Sequence, residues 1–246
     1  YSEFAKITEV TPAEGVDNTF SYTLNEGTLE SNYNITTNYG SLTITPKTIV
    51  PDGPETPEEK KTGIEVTNPE GSKYDGTEHK NAPTVTDTKT GVTLTEGTDY
   101  TLTYSEDVTN AGTVTVTVTG KGNYTGEFNV TYEITKRDVV LTSATDSKKY
   151  DGTALRNENV EVTGDGFAEG EGATYSEFAE VTNVTDGAVA NTFTYTLNEN
   201  TLASNYNISR QLLLISQKLL KKKRQESQLK ILVMLSMTVK IMLKSQ

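Results

Sequence analysis

Residues 113–120 read Thr-Val-Thr-Val-Thr-Val-Thr-Gly, and residues 127–135 read Glu-Phe-Asn-Val-Thr-Tyr-Glu-Ile-Thr. Strict alternation places Val114, Val116 and Val118 on one face and the threonines between them on the other; Phe128, Val130, Tyr132 and Ile134 repeat the pattern. Successive side chains of a strand point to opposite faces, so these runs predict two half-buried strands. Val and Thr branch at Cβ, which restricts χ1 against a helical turn and favours extended backbone. Tyr100, Leu102 and Tyr104 alternate likewise, Gly-Ile-Glu-Val-Thr-Asn at 63–68 is strand-like, and Gly120, Gly122 and Gly126 mark turns. Residues 61–136 therefore read as one all-β module, here termed B-type.

Lys-Tyr-Asp-Gly-Thr occurs at 73–77 and again at 149–153. Asp-Gly takes up the positive-φ conformations of tight hairpins, because Gly has no Cβ and Asp tolerates the left-handed region. A tyrosine ahead of it can lie on a core with its hydroxyl at the rim. Tyr74, Asp75 and Gly76, and Tyr150, Asp151 and Gly152, are thus expected to form structural hairpin turns with an aromatic anchor. Residues 1–35 repeat as residues 175–208 with one residue of gap, including Asn-Thr-Phe at 18–20 and 191–193 and Ser-Asn-Tyr-Asn-Ile at 31–35 and 204–208. The expected organisation is the C-terminal part of an A-type module at 1–47, a spacer at 48–60, the B-type module at 61–136 and an A-type module at 137–208. The spacer assignment rests on Pro51, Pro54, Pro57 and the acids among them, a composition that extends a chain. With no such spacer between Thr135 and Asp138, that junction is expected to be the stiffer of the two. Tyr1 aligns with the interior of the later module, so the chain reads as a fragment of a longer protein.

The charge is divided along the chain. The whole carries 22 Lys and Arg against 34 Asp and Glu, a net of −12. Residues 209–246 hold 9 of those basic residues and one acid, Glu226, leaving 13 basic and 33 acidic residues in 1–208, a net of −20. Such a surface repels nucleic acid and anionic membranes. The chain has no Cys, so disulfides and thiolate metal sites are excluded.

Residues 209–246 hold all three Met residues and no Gly, Pro, Tyr or Asp. Taken literally they are an apolar, basic helix former or a disordered tail. One permitted codon set for residue 217 onward, read two bases later, spells KAAKKETAGITVENPGNAKYDGKNNAKVT, which parallels KKTGIEVTNPEGSKYDGTEHKNAPTVT at 60–86. Residues 209–246 are therefore read as a frameshifted, non-native tail.

The two KYDGT stretches, NAGTVTVTVTGKGNYTG at 110–126 and the paired NTFTYTLN and SNYNI stretches resemble the MBG and YDG-type repeats of bacterial cell-surface adhesins. The resemblance covers residues 1–208. It implies tandem Ig-like β-sandwiches in an extracellular, surface-attached protein. It also implies a stalk that presents a distal binding domain, or modules that themselves bind host glycan, mucin or matrix; accessory modules of a secreted enzyme are a further alternative.

No enzyme chemistry is expected, and no cofactor. His79 is the only imidazole and lies in a polar run, so a Ser/His nucleophile would hang on one residue. The acids Glu96 with Asp99, and Asp165 with Glu169, show no feature that separates their roles as in a glycosidase. Calcium is the stronger rival, with Asp165, Glu169 and Glu171, or Asp52 and Glu55, as hard oxygen ligands without fixed spacing. A Lys–Asn isopeptide would need Lys73, Asn123 and Asp75 together and buried. The tyrosines at alternating positions are expected to pack in cores rather than to stack on sugars.

Overall fold

A computed structural model describes residues 1–218. They fall into two compact units, Tyr1–Ser72 with Thr77–Ile134, and Lys73–Gly76 with the chain from Thr135 onward. The fold is all-β: every described element longer than three residues is a strand, and the helical content is four three-residue 3₁₀ turns.

In the first unit the alternating runs become one sheet. Gly112–Gly120 pairs antiparallel with Tyr100–Tyr104 on one side and with Glu127–Thr135 on the other. Val116 lies between Tyr104 and Val130, so the apolar faces predicted separately meet on one side of the sheet. Ile64–Thr67, Thr84–Asp87 and Val92–Thr93 form a second sheet. Ile64, Val85 and Leu94 of this sheet close over Tyr100 and Val118 of the first. Each such aliphatic side chain contributes about 1.5–3 kcal/mol by leaving water.

The stretch 48–60 departs from the spacer expectation. Ile49 is fully buried in this same core. Lys47–Thr48 forms a parallel pair with Tyr124–Thr125. Asp52 accepts hydrogen bonds from the Thr62 and Gly63 amides at 2.8 and 2.7 Å. The strand Lys47–Thr48 and buried Ile49 thus belong to the module core, and the prolines and acids follow them.

In the second unit Arg137–Ser143 is the central strand. It pairs antiparallel with Val160–Gly164 and parallel with Tyr206–Gln211. Leu214–Lys218 runs antiparallel to Ala188–Ala190 and parallel to Asp146–Lys149, and Ala173–Ser176 pairs with Thr194–Leu197. Val139, Leu141, Phe178, Val181, Phe193 and Ile215 are buried. The helix or disorder expected from 209 onward does not appear over 209–218, where Tyr206–Gln211 and Leu214–Lys218 are strands; 219–246, with the rest of the proposed frameshift, lies outside the described residues. The reason is local. Ile215 opposes Val189 as Leu42 opposes Val16 in the N-terminal copy, so an apolar residue still fills the site that the strand must cover.

Both units share one connection. In each module an early strand pairs in parallel with a late one: Lys47–Thr48 with Tyr124–Thr125, and Arg137–Ser143 with Tyr206–Gln211. A parallel pair needs a crossover rather than a tight hairpin between its strands, so the early and late strands of a module point the same way. The sandwiches are thus mixed, where an immunoglobulin domain is antiparallel.

Candidate functional site

The first Lys-Tyr-Asp-Gly stretch is part of the second unit. Gly76 has φ +86° and Gly152 has φ +81°, as Asp-Gly predicts. Neither is a hairpin, however. The strand before each turn and the strand after it pair with different partners: Asp146–Lys149 with Leu214–Lys218, and Val160–Gly164 with Arg137–Ser143. The second turn is held by side chains. Asp151 accepts from the Thr153 amide at 2.9 Å and its hydroxyl at 2.7 Å, and Lys148 lies 3.0 Å away. Those bonds, the hydroxyl first, bring the Asp151 carboxyl down to about 2.

Tyr74 is only 4% exposed. Its hydroxyl donates to the Glu171 carboxylate, whose other oxygen accepts from Tyr206 at 2.7 Å. The Tyr74 and Tyr206 rings meet edge-to-face at 5.7 Å, and Phe167 packs on Tyr206 at 5.2 Å. Edge-to-face contact sets the positive rim of one ring against the negative face of the other. Asn205, fully buried, hydrogen-bonds the Tyr74 hydroxyl, and the Ala168 amide donates to the Tyr206 oxygen at 3.0 Å. Burial, reinforced by Glu171, pushes both phenols above their ordinary range.

Charged groups close the rim. Lys73 Nζ lies 2.7 and 2.9 Å from the Asp165 oxygens, and the Asp138 amide donates to the same carboxylate at 2.9 Å. The Lys73 bond first, and that amide second, hold Asp165 below the usual carboxylate range. Arg137 reaches over the Asp165–Gly166 carbonyls and donates to the Tyr74 carbonyl at 3.3 Å. We call this arrangement, from Asp165–Glu171 and Asn205–Tyr206, the tyrosine seat.

A counterpart stands in the first unit, at the same register. Tyr124 donates to Asp87 at 3.2 Å, and Lys47 Nζ is 2.5 Å from that buried carboxylate. Burial, with Asp87 beside it, pushes Tyr124 up to about 12. Asn123, ahead of Tyr124, accepts from the Val10 amide at 2.9 Å. Sequence reasoning missed Lys47, Asp87 and Tyr124 as a site and singled out Asn123 only as an isopeptide candidate. The signal was present, since Asn-Tyr occurs at 32–33, 38–39, 123–124 and 205–206, and the last two open the late strands Tyr124–Thr125 and Tyr206–Gln211.

The other expected sites are dispersed. Tyr100 and Tyr132 are buried as anchors and Tyr104 is half-buried, whereas Tyr150 is 54% exposed and anchors no core. Lys73 is bound to Asp165, and Asn123 to Val10 and Glu9, so each isopeptide candidate has other partners. Asp52 caps Thr62 and Gly63, and Asp99 accepts from the Thr95 amide at 2.8 Å. The His79 amide and carbonyl are tied to Val108 and Tyr132. Among the described residues no group of three or more His, Asp or Glu is placed to hold a metal ion, and no helix is long and apolar enough to cross a membrane.

Separately, the first unit has an open cleft of about 570 Å³ between its two sheets. Its walls include Asp52, Glu65, Asn68, Phe128 and Asn129. These features define an all-β repeat protein whose best-built polar site is a seat for a tyrosine turn. No family model, no curated protein and no solved structure matches the chain.

Proposed function

We propose that the chain is a structural and adhesive repeat segment of a bacterial cell-surface protein, an extended stalk that presents a distal binding domain outside the cell. The observation that carries this reading is the parallel pairing of an early with a late strand in both modules. A module that the chain enters at one end and leaves at the other can be strung in series, as repeat arrays are. The repeated sequences and the net charge of −20 over residues 1–208 support it, since like charges keep an array soluble. The test is small-angle scattering. A stalk segment gives a maximum dimension well above that of a sphere of equal mass; a compact particle would refute the reading.

The cleft favours a second reading, in which the B-type module itself binds host glycan. Phe128 is a half-buried aromatic beside exposed Glu65, Asn68 and Asn129, the mixture that a sugar ring and its hydroxyls engage. A glycan array probed with the full chain and with Phe128→Ala separates the two readings. Binding that the substitution abolishes supports the glycan site, and an array without signal leaves the stalk alone.

A further inference from the structure

Asp87 is 1% exposed, and the two oxygens of its carboxylate have different neighbours. Oδ2 lies 2.5 Å from Lys47 Nζ and accepts from the Tyr124 hydroxyl at 3.2 Å. Oδ1 accepts from the Lys89 amide at 3.1 Å and, more weakly, from the Thr90 amide at 3.4 Å. Lys47 and Tyr124 are register partners in their parallel pair, and Asp87 ends the strand Thr84–Asp87 of the second sheet. Burial works against the Asp87 charge, and the Lys47 bond, with Thr90 and Tyr124 behind it, outweighs burial and holds the carboxyl below its ordinary value. The resting pair is therefore charged. At the same register the other module has Arg137, whose guanidinium stays protonated and bonds the Asp165, Gly166 and Tyr74 carbonyls. The first unit places a primary amine there, against a buried carboxylate.

We propose that Lys47 and Asp87 join as an intramolecular amide, formed by the folded module itself. A proton passes within the pair from Nζ to Oδ2, giving the uncharged amine and acid, a state that burial favours relative to water. The Nζ lone pair then attacks Asp87 Cγ. Negative charge develops on Oδ1, where the Lys89 and Thr90 amides already donate, as the donors of an oxyanion hole do. The Tyr124 hydroxyl gives its proton to Oδ2 and recovers one from the nitrogen. The Cγ–Oδ2 bond breaks and water leaves. One ammonium and one carboxylate thus become one amide and one water, with no oxidant, metal or activating group consumed. The bond ties the early strand to the second sheet and closes a loop between positions 40 apart in the chain. In a chain without Cys it does what a disulfide does, removing freedom from the unfolded state. It stands on the first unit alone, whether or not the chain is a surface stalk.

Intact-mass spectrometry of the full chain, purified and then denatured, tests it. The expected mass is that of the sequence less one water. Trypsin is expected to release a branched peptide in which 7–60 and 81–89 are joined through Lys47 and Asp87. Lys47→Arg keeps a cation beside Asp87, so its circular dichroism is that of the parent, and its mass is the full mass of its sequence. A succinimide at an Asp-Gly pair such as Asp151–Gly152 also releases one water, but that loss survives Lys47→Arg and yields no branched peptide. Tyr124→Phe slows the step, so part of that variant keeps its full mass; complete cross-linking in it takes the hydroxyl out of the chemistry. A parent chain at its full sequence mass, or a loss of water that persists in Lys47→Arg, overturns the proposal.

Discussion

The N-terminal stretch 1–35 and its repeat at 175–208 share a backbone and differ in burial. Glu3 and Glu177 both take positive φ, at 54° and 53°. The Ala5 amide bonds the Thr19 carbonyl at 2.9 Å as the Ala179 amide bonds Thr192, also at 2.9 Å. Yet Phe4 is 56% exposed where Phe178 is 7%. In the second copy Val139, Leu141, Leu155 and Ala168 are buried along with Phe178. Local sequence thus sets the same conformation in both, while the packing energy at each phenylalanine follows the apolar surface buried against it.

The largest expected break in this comparison is at the shared phenylalanine. Phe193, 2% exposed, stacks on Phe178 at 5.7 Å, so Phe193→Ala destabilises the second unit by about 3–5 kcal/mol in urea unfolding. Phe20→Ala, in the half-covered copy, costs well under half of that; equal losses would mean that the two copies are packed alike.

Next comes the hydroxyl of the seat. Tyr206→Phe leaves Glu171 and the Ala168 amide each short of a partner and costs about 1–3 kcal/mol. Tyr33→Phe leaves the thermal midpoint where it was. A smaller effect is expected at Gln217. By register it stands where Ile44 stands in the first copy, two residues beyond the paired Leu42 and Ile215. It is buried, and its side-chain oxygen has no hydrogen-bond partner. Its Nε2 donates to the Val181 carbonyl at 3.1 Å and the Thr153 carbonyl at 3.4 Å; Gln217→Ile exchanges these bonds and the unpaired oxygen for apolar burial, so urea unfolding shifts by less than about 1 kcal/mol.

The mildest effect is in acid. Asp165 titrates below its unfolded value because Lys73 bonds the charged form, with the Asp138 amide second. Its contribution is fully present above about pH 4 and is lost as the pH falls through the depressed folded value. The melting temperature of the second unit should drop between about pH 4 and pH 2, and Asp165→Asn should shrink that drop. An unchanged pH profile in the variant would remove Lys73–Asp165 from the energetics of the seat.

Much of this fold was legible from alternation. Val114, Val116, Val118, Tyr132 and Ile134 are buried as their spacing requires, because a strand has only two faces and one is wet. Positive φ at Gly76 and Gly152 followed from Asp-Gly. Ile49 was hidden by the prolines and acids around it, since composition averages over the one residue that the core selects. The seat was hidden for a different reason: Glu171, Asn205 and Tyr206 lie about 100 residues or more from Tyr74 along the chain, and no local pattern joins them.

By itself, then, the sequence determined where strands run, where the backbone takes positive φ and which segments are copies, because these depend on side-chain alternation and on the presence or absence of a Cβ. Which strands pair in parallel, and that Tyr74 is buried while the identical Tyr150 is exposed, only the tertiary structure decided. Burial is a property of what lies opposite a residue, and the two turns, identical through five residues, face different surroundings.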